Sequence, residues 1–226
     1  MKKLILMFMA AMMVFIVSYG QTAKETIRER KQIAKYSVSE LNKKASKAAK
    51  KEVKTLKKQG WIVAPGQLPL EKQLDRSYEM QYEFDENGLP KYVFGDGMSP
   101  GEFYDAAKYN AREIAILDIA NKLERDITEV IDEDVKNGQI SSNDAKSAVE
   151  VVAESKSLIV KRLGKVISVV ECYKPLKNGN VEVLVKLAYD TKSAIDDAKN
   201  VIMEQLEERG ESLRKDLDAI WNQLLK

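Results

Sequence analysis

The chain has 226 residues, of which 44% are hydrophobic and 32% charged, with a formal net charge of +2. It holds no histidine and a single cysteine, Cys172. That composition excludes Ser-His-Asp and Cys-His catalysis, histidine metal ligation and any intramolecular disulfide.

The chain opens with Lys2 and Lys3, an apolar run over residues 4–17, and the small-residue stretch Ser18-Tyr19-Gly20. This pattern predicts a secretory signal peptide cut between Gly20 and Gln21. The run of 14 residues falls short of the roughly 20 that a spanning helix needs. No cysteine stands at the cut, so the lipid attachment of a bacterial lipoprotein is not open to it. The expected location is the periplasm or the outer-membrane surface, without a lipobox anchor. About 206 residues then remain, enough for one ordinary core.

Residues 21–60 read as one basic helix. Residues 22–60 carry 13 Lys+Arg against 4 acids, a net of +9, whereas the chain from Trp61 on carries 22 against 31. Ile27, Ala34, Val38, Leu41, Ala45 and Ala48 recur at heptad-like spacing. Lys43, Lys44, Lys47, Lys50, Lys51, Lys54, Lys57 and Lys58 crowd the end. The reading for these lysines is a solvated face of a helix packed on the acidic body. The alternative is attraction to polyanions such as anionic lipid headgroups or envelope glycans. Nucleic acid is not an expected partner, because stacking aromatics are nearly missing from the run.

Gly60 stops the helix, Trp61-Ile62-Val63 is short and extended, and Pro65 to Pro69 is a rigid loop, with a helical turn over residues 70–75. Tyr78, Met80, Tyr82 and Phe84 alternate with polar residues, which predicts a strand. Residues 85–88 supply turn chemistry, and residues 91–94 a return strand. Gly95-Asp96-Gly97 reads as backbone bending into a helix capped by Ser99, with Pro100 at its first position and Glu102 reaching back.

This helix, over residues 99–135, places Tyr104, Ala107, Ala111, Ile114 and Ala115 on one face. An alanine face permits close approach of a sheet. Ile116, Ile119, Leu123, Ile127 and Val130 turn nearly the opposite way, toward another helix. Asp118 continues the alanine stripe and is read as exposed beyond the sheet, the alternative being part burial with a partner. Ser141 and Asp144 form a capping box for the next helix. A branched strand at residues 166–173 buries Cys172 as an inert thiol, and an Asn178-Gly179 turn leads to the alternating strand at residues 181–188. From Thr191 the chain is helical, with a stripe from Ile195 through Leu213, Leu217, Ile220 and Leu224 interrupted by Gly210.

The expected fold is α+β: an antiparallel sheet of two β-hairpins packed on a central helical hairpin, flanked by long N- and C-terminal helices. It divides into a signal peptide (1–20), a basic helix (21–60), a core domain (61–190) and a C-terminal helix (191–226) that packs on the core or a partner. Glu124/Asp126, Asp132/Asp134 and Asp196/Asp197 are the acid pairs available to a hydrolase. Neighbours one or two apart diverge on a helix, so they read as solvated surface. The expectation is a non-enzymatic protein without a cofactor, acting through protein partners or self-association, with an anionic membrane surface as the alternative partner.

Residues 91–189 resemble the twenty-kilodalton outer-membrane lipoprotein family of exported envelope proteins. The resemblance is carried by Gly95-Asp96-Gly97, by Ala106-Ala107, Ala111 and Ala115, by the helical hairpin, and by the strand from Val181 to Ala188. It implies a compact α+β envelope domain working through assembly or surface association, with no catalytic residues to carry over. This chain lacks the family's lipid-accepting cysteine at the cut site.

Overall fold

In the computed structural model, which describes residues 38–85, 89–138, 141–207 and 221, a three-stranded antiparallel sheet separates two hydrophobic cores. The elements are α1 (Val38–Lys58), α2 (Leu70–Gln81), β1 (Tyr92–Gly101), α3 (Tyr104–Lys136), α4 (Ser142–Arg162), β2 (Ile167–Pro175), β3 (Val181–Asp190) and α5 (Thr191–Glu207). The chain divides into two units, Met1–Lys43 and Lys44–Lys226. Of the first, only the opening of α1 is described. The signal segment with its Gly20/Gln21 cut, the stripe before residue 38, and Gly210, Leu213, Leu217, Ile220 and Leu224 lie outside the described residues.

The α+β class holds, but the sheet contains one hairpin rather than two. Its order is β1-β3-β2, with β2 and β3 joined through the predicted turn. Gly179 there has φ +87, and Asn178 accepts from the Asn180 amide. Most of the first strand of the first expected hairpin is replaced by α2. Leu70, Gln73, Leu74, Ser77 and Met80 all lie buried on one side of that helix. This helical set covers β2, and it overrode the period-two alternation of Tyr78, Met80, Tyr82 and Phe84. The reversal and the return strand survive: Phe84 bridges Pro90, the Lys91 amide donates to the Glu83 carbonyl, and Tyr92, Val93 and Phe94 open β1.

Ser99 does not cap a helix. It sits buried in β1 opposite Val183, and the strand runs on to Gly101 because β3 offers a partner for every residue from Tyr92 to Gly101. Helix α3 begins instead at Tyr104, after Phe103 and without a side-chain cap. Gly95 and Gly97 are therefore mid-strand residues, and what they permit is proximity. A Cβ on Gly95 would stand 2.0 Å from the Ala115 carbonyl oxygen, and one on Gly97 would stand 1.8 Å from that of Ala111. A Cβ on Gly101 would meet the Ala107 Cβ at 2.9 Å. The alanine face of α3 thus rests directly on glycine backbone, the close approach that its composition implied.

Beyond Ala115 the buried residues of α3 continue in steps of four through Ile119, Leu123, Ile127 and Ile131. Each step of four turns the face by about 40°. The helix of 33 residues therefore passes from the sheet to α4 by gradual rotation rather than by an abrupt change of face. Ile114, assigned to the alanine face from its spacing, is 44% exposed because it lies at that face's outer margin. Helix α4 starts as the sequence predicts, with Ser141 Oγ accepting from the Asp144 amide. Helix α5 starts at Thr191, just after Asp190, whose carboxylate accepts from Ser193 N and Oγ. Its Ala194, Ile195, Ala198, Val201 and Ile202 share the α3/α4 core with Trp221.

Asp118 is not simply exposed. Its Oδ2 accepts from the Asp96 amide at 3.0 Å and from Lys122 Nζ at 2.7 Å, and Lys122 also donates to the Phe94 carbonyl. These are backbone groups on the side of β1 turned away from β3. Pro100, which has no N–H to offer, stands further along the same strand. The pair and the proline cover an edge that would otherwise template another strand.

The opposite face of the sheet packs Val170, Cys172 and Ala188 against Ala49, Val53, Trp61, Leu70 and Leu74. Cys172 is fully buried, and burial, helped by the Glu52 and Glu171 carboxylates, pushes its thiol from 9.0 up to about 12. Tyr189 rises from 10.0 to about 12, chiefly through burial and then its bond to Asp197. A raised folded-state value stabilises fully below the unfolded value and is lost as pH climbs toward the folded one. Stability should therefore fall above about pH 9, by up to about 4 kcal/mol from Cys172 alone at the alkaline limit. Urea titrations at pH 8 and pH 10.5 check this. Cys172→Ala should be less stable at pH 8 yet lose less between the two.

Candidate polyanion-binding face

Helix α1 presents two unlike sides. Ala49 and Val53 are buried, with Leu56 packed beside them, and Glu52 Oε2 accepts from Tyr78 Oη at 2.6 Å. That bond ties α1 to α2. Burial and the neighbouring Glu52 carboxylate push the Tyr78 phenol above its usual range, which keeps it the donor. The helix is thus held through its apolar side.

Lys47, Lys50, Lys51, Lys54, Lys57 and Lys58 are all exposed. So is Lys43, in the first unit, while the side chain of Lys44 is outside the described ones. At 100° per residue, Lys47, Lys50, Lys54 and Lys57 fall within about 80° of arc, whose centre is turned by about 110° from that of Ala49, Val53 and Leu56. Among the described residues none of these lysines joins an ion pair. Like charges three and four apart on a helix repel by roughly 0.2–0.5 kcal/mol per pair. The ridge is therefore a mild electrostatic load on α1, relieved at Lys57 and Lys58 by the helix C-terminus. Any anionic surface laid along it would relieve the rest. The lysines do not mediate the packing of α1 on the body; the apolar side does.

A second polar assembly, not evident in the sequence, surrounds Glu171. Glu171 is buried, on the α3 side of β2, and its Oε1 accepts from Tyr104 Oη at 2.6 Å and from Gln67 Nε2 at 3.4 Å. Lys108 Nζ lies 2.7 Å from the same oxygen. The Glu171 amide donates to Gln73 Oε1 at 2.7 Å. Tyr173 meets the Tyr104 ring edge-on at 5.3 Å. A buried carboxylate at an even step of a hydrophobic strand was the only available signal, and its partners are spread from residue 67 to residue 108. The arrangement joins the loop before α2, the start of α3 and β2 at one atom.

Acids of the predicted pairs meet separate surroundings. Glu124 pairs with Lys156 at 2.6 Å across α3 and α4, Asp134 is buried in α3, and Asp197 takes the Tyr189 hydroxyl at 2.7 Å. Among the described residues no three acids, or acids with the cysteine, gather as a metal-binding group, and no helix is long and apolar enough to cross a membrane. No family model, curated protein or solved structure matches the chain.

Proposed function

We propose that this is an exported, non-enzymatic cell-envelope protein that works by contact, and that the lysine ridge of α1 is its surface for anionic envelope polymers or lipid headgroups. The observation that carries the reading is the ridge itself: exposed lysines in register on one side of a helix, free of ion pairs among the described residues, while the other side anchors the helix to the body. The export signal read in residues 1–20 supports the location, and the resemblance of residues 91–189 to envelope lipoproteins supports surface association as the mode of action. With no lipid-accepting cysteine at the cut, charge on α1 supplies the attachment.

Each lysine near an anionic surface contributes about 1 kcal/mol. Replacing Lys47, Lys50, Lys54 and Lys57 together by glutamine should therefore weaken binding roughly thousandfold. Co-sedimentation with vesicles containing anionic lipid, against neutral vesicles, measures it, with a soluble anionic glycan as competitor to separate the two sources. High salt should release the wild-type protein. Equal binding to neutral and anionic vesicles, or no binding to either anionic probe at low salt, overturns the proposal.

A further inference from the structure

After Lys24, the longest stretch without a charged residue runs from Gln59 to Leu70, between the end of α1 and the start of α2. Two of its large side chains turn inward: Trp61 and Leu70 are buried with Ala49, Val53 and Leu74. Two do not. Ile62 is 46% exposed and Leu68 56%, and every residue from Pro65 to Pro69 is exposed.

The backbone holds these side chains out. Gly60, at φ +86, ends α1, with its own amide donating to the Lys57 carbonyl and the Trp61 amide to that of Leu56, the paired bonds of a Schellman cap. Ile62 exchanges both backbone hydrogen bonds with Tyr173, each at 2.8 Å. Pro65 and Gly66, the latter at φ +84, take the central positions of a type II turn, which the Gln67 amide closes on the Ala64 carbonyl at 3.1 Å. Gln73 Nε2 donates to the Leu68 carbonyl at 2.7 Å, and Gln67 Nε2 reaches Glu171. These bonds tie the loop to the body and leave Ile62 and Leu68 to water.

The exposed charge around the loop has one sign. From Lys57 to Arg76 the exposed charged residues are Lys57, Lys58, Lys72 and Arg76, while the acids of that stretch, Glu71 and Asp75, are half-buried. An apolar loop with cations at both ends and no exposed acid fits an anionic bilayer. Aliphatic side chains enter the boundary between headgroups and acyl chains, and the cations meet the headgroups. A protein partner fits less well, because two half-exposed side chains supply only a small part of the roughly 1,000 Å² that a specific interface needs. A soluble glycan has no apolar interior to receive them.

We propose that residues 62–68 form an anchor that enters the surface of an anionic bilayer, directly after the lysine ridge that α1 carries to its end. The proposal rests on the polyanion reading above and narrows its partner to lipid.

The buried Cys172 leaves an introduced surface thiol as the one that labels. In the exported protein, Leu68→Cys carrying an environment-sensitive dye should shift to the blue on vesicles containing anionic lipid, and lipid brominated in its acyl chains should quench it. Ser147→Cys, exposed on α4, should show neither effect. Ile62→Thr and Leu68→Ser should each weaken co-sedimentation with those vesicles about tenfold, with an unchanged thermal midpoint. Binding to the soluble anionic glycan should depend on neither side chain. Vesicle binding that needs the four lysines but ignores both aliphatic substitutions, with an unshifted dye at residue 68, overturns the anchor and leaves the ridge standing. Binding that needs the aliphatic pair but not the lysines overturns the ridge and supports the anchor. No binding to anionic vesicles at low salt overturns both. A dye shift with lipid-free envelope protein and none with vesicles also overturns the anchor, since the occupant would then be a protein.

Discussion

Gly97→Ala is expected to lower the thermal midpoint by roughly 6–12 °C, corresponding to about 3 kcal/mol at this chain length. A methyl group there would stand 1.8 Å from the Ala111 carbonyl oxygen and 2.7 Å from the Ala115 amide nitrogen. Neither contact is with a side chain that can rotate away, so relief requires α3 to lift from β1 along its first half. Lifting exposes Ala107, Ala111 and Ala115, now fully buried, and loosens the α3/α4/α5 core that continues from them. Gly95→Ala should behave alike, its nearest obstacle being the Ala115 carbonyl at 2.0 Å. Because the clash is with backbone, Ala111→Gly should not rescue Gly97→Ala. Rescue would mean that the contact is between side chain and side chain and not with the α3 backbone. Gly66 offers a control of another kind: it has open space around it but φ +84, so alanine there strains only the local backbone. Thermal melts of the four variants separate the cases.

The alanine face announced that something would lie close to α3, and the sequence identified the right helix for the right reason. What lay against it was hidden by chemistry that serves two purposes. Glycine permits bends, and it also permits contact, and Ser99-Pro100-Gly101-Glu102 satisfies every local rule for a helix start. The decision belongs to β3, ninety residues away, whose ten residues pair with all of β1. Tyr78 to Phe84 illustrates the same competition. Its alternation is genuine, but Leu70, Leu74 and Met80 fit a helical face over β2, and burial of that face prevailed. Local signals succeeded where the local chemistry had one outlet: the Ser141 cap, the Asn178-Gly179 turn and the buried thiol.

The two polar features differ in the same way. Lysines at steps of three and four in one helix are neighbours in sequence and in space, so the ridge was legible without a structure. Glu171 gathers Gln67, Tyr104 and Lys108 from separate elements, and nothing in its own strand, Ile167–Pro175, indicates them. Asp118 is intermediate. Lys122 is its neighbour four residues on, but the β1 backbone that both engage became visible only once the strand was placed.

Glu171→Ala is the second substitution expected to have a large effect, about 2–4 kcal/mol. It removes the acceptor of a 2.6 Å hydrogen bond from Tyr104, whose phenol is held protonated above its usual range by burial and by this carboxylate. It also removes the partner of Lys108, and leaves a void between the 65–69 loop and the start of α3. The lysine's share must be discounted, because its side chain is 37% exposed and can turn to water. Most of the cost is then the orphaned phenol and the lost packing. Glu171→Gln tests that division. It keeps the volume and an oxygen for Tyr104 and loses only the charge, so it should cost about 1 kcal/mol. Pairing Glu171→Gln with Lys108→Met in a double-mutant cycle should return a coupling of about 1 kcal/mol or less. Urea midpoints measure all four proteins. A coupling several times larger would mean that the ammonium is held far more rigidly than its exposure implies, and Glu171 would then have to be treated as one half of a buried ion pair rather than as the acceptor that joins the loop, the helix and the strand.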